Sequence, residues 1–123
     1  RLVGSEMCIR DSYKIKVYRH FEKEVKKLSK RYKSLKQDLT ILAAELMQNP
    51  DMGTDLGNGL HKVRMSIASK GKGKRGGARV ITLIATLSKE EKEIGLHFIY
   101  DKSERENITD KELQAVLKDN GII

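Results

Sequence analysis

Apolar and polar residues first alternate along the chain and then recur at helical spacing. Over residues 13–18, Tyr13, Ile15 and Val17 alternate with Lys14, Lys16 and Tyr18, the period of a half-buried strand. Phe21, Val25, Leu28 and Tyr32 follow at intervals of four, three and four residues, which places them on one face of a helix with lysines on the other. Leu35, Leu39, Leu42, Leu46 and Met47 form a second helical stripe. Ser34 and Gln37 stand before it at capping-box spacing, and Asn49-Pro50 stops it. The two helices are expected to pack as a hairpin.

Residues 51–59 (DMGTDLGNG) are turn-rich and predict irregular chain. Val63, Met65 and Ile67 then alternate with Lys62, Arg64 and Ser66, a strand with one apolar face and two cations on the other. After a loop over residues 69–78, the run RVITLIAT (79–86) predicts a central strand apolar on both sides. A charged turn over 87–93 leads to IGLHFIY (94–100), another two-sided strand. Thr109 with Glu112 forms a second capping box ahead of Leu113, Val116 and Leu117, a short helix closing near Asn120-Gly121. The order is β-α-α-β-β-β-α. Short turns in the second half predict an antiparallel sheet with helices against one face, the α+β class.

A chain of 123 residues holds one core. Aromatics are only 5% and Trp is absent, so that core must be built from Leu, Ile, Val and Met. Residues 1–11 (RLVGSEMCIRD) follow neither periodicity and look like translated adapter sequence, which leaves 12–123 as the domain. Cys8, the single cysteine, excludes an intramolecular disulfide and a multi-cysteine zinc site. No apolar run approaches the roughly 20 residues that span a bilayer, so a cytoplasmic protein with no membrane partner is expected.

The formal charge is +8, which favours polyanions. It is concentrated: residues 62–79 carry Lys62, Arg64, Lys70, Lys72, Lys74, Arg75 and Arg79, seven cations in eighteen residues with no acid. Such a segment repels itself unless an anion lies against it, and phosphates bound there would make affinity salt-dependent. The competing reading is a solvated hairpin tip. Gly71, Gly73 and Gly76 spell G-x-G-x-x-G, but a dinucleotide site needs a helix directly after it and here a strand is predicted. A second polar cluster runs from Tyr100 to Glu106 at a strand end, suited either to acid-base residues or to an exposed turn. His61 and His97 are isolated, so no metal site or cofactor is expected, and Asn107-Ile108-Thr109 reads as a helix cap rather than a glycosylation sequon.

The stretch 59–68, the segment GKGKRGGARVI and the segment IYDKSERENITDKEL together resemble the RelE superfamily of bacterial toxins, most closely its HigB-like branch. The resemblance spans residue 13 to about residue 118. It implies a twisted antiparallel sheet with two N-terminal helices and a short C-terminal helix. It also implies an endoribonuclease that cuts messenger RNA on the translating ribosome, without a metal, and is restrained by a cognate antitoxin, expected to be of helix-turn-helix type. The family's paired basic residues fall on Lys62 and Arg64, its strand-opening arginine on Arg79, and its basic residue after the last strand on Lys102. Its carboxylate falls on Glu104 or Glu106, and the C-terminal tyrosine or histidine of several members has no counterpart.

Cleavage of RNA without a metal needs a base for the 2′-hydroxyl, positive charge on the phosphorane and an acid for the leaving 5′-oxygen. Arg64 and Arg79 suit the middle task, because guanidinium stays charged and grips two oxygens. Lys62, Lys102 and Glu104 are the acid-base candidates. Lys70, Lys72, Lys74 and Arg75, on a glycine-rich loop, are expected to drape over ribosomal RNA. Two other readings compete: a ParE-like gyrase inhibitor without nuclease activity, and a non-catalytic RNA-binding module.

Overall fold

In a computed structural model, which describes residues 6–8, 13–71, 73–86, 91–105 and 107–122, the strands form one sheet. They are β1 (Glu6–Cys8), β2 (Tyr13–Val17), β3 (Thr54–Gly57), β4 (Leu60–Met65), β5 (Ala78–Thr86) and β6 (Lys92–Asp101). Their spatial order is β1-β2-β6-β5-β4-β3. The helices are α1 (Arg19–Arg31), α2 (Leu35–Gln48), the single turn α3 (Gly73–Gly76) and α4 (Asp110–Asp119). This is the α+β class expected, with two elements added by backbone pairing rather than by apolar pattern. β3 arises within the turn-rich stretch and pairs with β4 through a tight connection in which Gly57 and Asn58 both take positive φ, 92° and 55°. β1 comes from the segment set aside above and pairs antiparallel with β2 at the sheet edge. Edge addition uses main-chain hydrogen bonds and asks little of side chains.

The sheet is mixed. β2 runs parallel to β6, and the other pairs are antiparallel. Parallel neighbours need a long crossover between them, which the α1–α2 hairpin begins and the β3–β5 meander completes. Local sequence could show the short turns but not this distant partner.

Two apolar layers cover the sheet. On one face, Phe21 and Leu28 of α1 and Leu35, Leu39, Leu42 and Leu46 of α2 pack on Ile15, Val63, Met65, Val80, Ile94, Leu96 and Ile99. On the other, Leu113, Val116 and Leu117 of α4 pack with Ile108 on Leu60, Ile81, Phe98 and Tyr100. The C-terminal helix α4 thus takes the face that α1 and α2 leave. Its start is the expected capping box: Thr109 Oγ1 accepts from the Glu112 amide, and Glu112 Oε1 accepts from the Thr109 amide, both at 3.2 Å. Ser34 does not cap α2; its hydroxyl donates instead to the buried Asp38 at 2.7 Å.

One irregularity decides which side chains share the α4 face. In β6 the pairing with β5 slips between Ile81↔Phe98 and Thr82↔Leu96, leaving His97 as an extra residue. Strict alternation from Ile94 would put Leu96, Phe98 and Tyr100 on the α1–α2 face. The bulge turns Phe98 and Tyr100 to the other one. His97 itself is fully buried, stacked on Tyr18 at 4.2 Å and held by the Asn120 side chain, which donates to its carbonyl at 3.2 Å. A Cβ on Gly95 would come within 2.8 Å of both His97 and Tyr18, so a side chain there would force this packing apart.

Candidate nucleic-acid interface

On the α4 face of the sheet, register aligns one side chain from each of three strands. Arg64 of β4 lies opposite Arg79 of β5, and Arg79 lies opposite Tyr100 of β6. The next row on the same face is Lys62, Ile81 and Phe98. Like charges directly opposite in a ladder are destabilising, and here one of them is also buried: Arg79 is 6% exposed, while Arg64 is open to solvent. Burial first, then the Arg64 charge, lowers the pKa of Arg79, with Tyr100 acting weakly the other way. Arg79 donates to its neighbour's carbonyl, Ala78 O, at 3.2 Å. Two guanidinium groups at fixed places on a rigid sheet make an anion-binding arrangement of the kind that phosphate recognition requires.

Residues from the chain after β6 close around this row. Lys62 Nζ donates to Asn107 Oδ1 at 3.2 Å, which also accepts from the Ile108 amide at 3.0 Å. The Arg105 guanidinium lies 5.9 Å from the ring centroids of both Phe98 and Tyr100 and donates to Glu112 Oε2 at 2.5 Å. Lys102 continues the pairing one residue beyond β6, its amide donating to Gly77 O at 3.0 Å, and its side chain is half-buried. Gly77 is required at that crossing, because a Cβ there would meet Met65 O at 2.0 Å.

The remaining candidates are placed differently. The glycine-rich loop predicts Lys70 as a cation that drapes over ribosomal RNA; in the structure it is bound within the protein. Its Nζ donates to Asp101 Oδ1 at 2.7 Å and to Ser103 Oγ at 3.3 Å, and its side chain is 9% exposed. Asp101, its side chain fully buried, also accepts from Tyr32 and from the Ser103 amide and hydroxyl. Burial alone would raise this carboxyl, but the bonds from Lys70, Tyr32 and Ser103 outweigh it and hold the group well below the ordinary carboxylate range. Just before Lys70, the Ala68 amide donates to Asp38 at 3.1 Å and the Ser69 amide to Ser34 Oγ at 2.9 Å. The near half of the hairpin loop is therefore fastened to α2 and β6, and its far half carries α3. Glu104 pairs with Arg31 of α1, on the helical side of the sheet, so the structure does not bring it to the arginine row. Lys72 and Glu106 lie outside the described residues, as do the side chains of Lys74 and Arg75.

The family model for the RelE toxin of the RelE/RelB toxin-antitoxin system matches residues 14–121. The chain belongs to the RelE toxin family. It is accordingly a toxin of a toxin-antitoxin pair, and its cationic row lies on the strands that carry this match. Among the described residues of this RelE toxin, no helix is long and apolar enough to cross a membrane. A groove of about 380 Å³ between α1 and α2, lined by Val17, Phe21, Val25 and Leu39, belongs to the helix layer and not to the cationic row. Sequence reasoning assigned no role to three residues that the structure sets beside the row: Tyr100 and Arg105, which it held only as members of the polar cluster 100–106, and Asn107, which it read as part of a helix cap. Arg105 stands in the polar cluster after the last strand and Asn107 just beyond it, where nothing in the pattern separates them from solvated turn residues. Tyr100 was concealed by the bulge, which no periodicity announces.

Proposed function

We propose that this toxin is a HigB-like endoribonuclease that cuts messenger RNA on the translating ribosome, in the cytoplasm, and is silenced by the antitoxin encoded with it. The observation that carries the reading is the Arg64–Arg79 pair, two like charges in direct register with one of them buried. A bound phosphate offsets the repulsion in that pair. During cleavage, the negative charge developing on the phosphorane strengthens the interaction, which is the differential binding that catalysis requires. The arginines supply positive charge without metal assistance. Lys62, held toward Asn107, and Lys102, at the end of β6, are the proton-transfer candidates on this side of the sheet. Glu104, tied to Arg31, takes no part in proton transfer. Lys72, Lys74 and Arg75 remain the residues proposed to dock ribosomal RNA.

The test is incubation of the purified protein with ribosomes translating a defined message, with mapping of new 5′ ends. New ends within codons support the reading. Intact message together with inhibition of DNA gyrase supercoiling would replace it with the gyrase-directed alternative.

A further inference from the structure

The hydroxyl of Tyr100 is left without a hydrogen-bond partner among the described residues, although the side chain is 5% exposed and its Oη is fully buried. Buried polar groups in native folds nearly always have partners, and an orphan calls for a reason. Phenylalanine would fill the same space beside Phe98 and Ile108 without that cost, so packing does not explain the oxygen. Its position supplies a reason. Tyr100 is the third member of the row that begins with Arg64 and Arg79, and it is the cross-strand partner of Arg79. The charged groups whose fields reach the phenol are Arg79, Arg105 and Glu112. Arg105 lies over the ring and is held by Glu112, and both of those side chains are partly exposed, 38% and 42%.

We propose that the Tyr100 hydroxyl is a third donor to the RNA phosphate held by Arg64 and Arg79, reached when Arg105 exchanges Glu112 for the nucleic acid. The inference rests on the phosphate-binding reading of this face but not on cleavage. Burial keeps the phenol protonated, since it raises its pKa despite the opposing arginine charges, so the group acts as a neutral donor. Arg105 is suited to the exchange: an exposed carboxylate partner holds it weakly, and a phosphodiester offers the same two-oxygen geometry. When the guanidinium leaves the ring over which it lies, the phenol is opened to the phosphate oxygen that its hydroxyl lacks.

The experiment uses Tyr100→Phe in the full chain and an uncleavable probe, a short single-stranded 2′-O-methyl RNA, with affinity measured across a salt series. Removal of one neutral donor should weaken binding by roughly three- to tenfold. The slope of affinity against salt should stay as in the wild type, because that slope counts cations. Arg79→Gln, measured beside it, should lower both affinity and slope. The melting temperature of Tyr100→Phe should be unchanged or higher, since an unsatisfied oxygen has been removed. Wild-type affinity in Tyr100→Phe overturns the proposal, and so does a changed salt slope, which would mean that the tyrosine acts only by placing Arg79. Cleavage on ribosomes is read separately. If binding depends on Tyr100 while the wild type cuts no message, the donor role stands and the nuclease reading falls. If the wild type cuts message while binding and cutting ignore Tyr100, the reverse holds. Failure of the wild type to bind the probe at all removes both the donor and the phosphate site.

Discussion

Replacing Asp101 by Asn removes one charge from a buried cluster while keeping its shape, and the structure sets the size of the effect. The carboxylate, with its side chain fully buried, receives the Lys70 ammonium at 2.7 Å and the Ser103 amide and hydroxyl at 2.9 and 2.8 Å. An asparagine keeps one oxygen to accept from Ser103, but its NH2 cannot accept from the Tyr32 hydroxyl, so the losses are the charge-assisted bond to Lys70, the stranding of an ammonium that is only 9% exposed, and the Tyr32 bond. Breaking one partner of a buried pair costs about 3 to 5 kcal/mol, and the short path from Lys70 to water favours the lower end, about 3 kcal/mol. For a domain of this size that corresponds to a fall in Tm of roughly 10 °C or more. Thermal and urea unfolding of the wild type, Asp101→Asn, Lys70→Met and the double variant measure it, and the double variant should be more stable than the sum of the single losses predicts. The sign with pH follows from the lowered carboxyl: its contribution is complete above the unfolded carboxylate value of about 4 and is lost as pH falls below it, so wild type and Asp101→Asn should converge in acid. A loss under about 1 kcal/mol, or additive single variants, would refute the idea that this pair holds the cationic hairpin to the end of β6.

Arg79→Ala should leave the fold intact, as judged by circular dichroism, and lower the single-turnover cleavage rate on ribosome-bound message on the order of a hundredfold or more; full activity in the folded variant removes Arg79 from the site. Glu104→Gln should leave cleavage unchanged and cost at most about 1 kcal/mol of stability, because its pair with Arg31 is half-exposed at both ends; a collapse in rate would return Glu104 to the chemistry. Burial pulls the pKa of His97 from 6.5 down to about 4, so the unfolded chain takes up a proton that the folded one refuses. The wild type should therefore lose up to about 3 kcal/mol between pH 6.5 and pH 4 beyond what His97→Gln loses, as denaturant titrations at those pH values would show; parallel pH profiles would exclude His97 as the source.

Much of this protein is legible in its sequence because it depends on near neighbours. The helical stripes that become α1 and α2, the Thr109–Glu112 capping box and the alternation that puts Lys62 and Arg64 opposite Val63 and Met65 are properties of a few consecutive residues. The concentration of cations over residues 62–79 is likewise written in one segment. What tertiary structure decided is which distant groups meet. Lys70 looks mobile beside its glycines, yet Asp101, thirty-one residues later, neutralises it. Glu104 looks like a site carboxylate until Arg31 of α1 takes it to the other side of the sheet. The most consequential decision is the one-residue bulge at His97. Because strand side chains alternate with a period of two, that single insertion reverses every residue after it, and it sets Tyr100 beside Arg79 instead of under the helices.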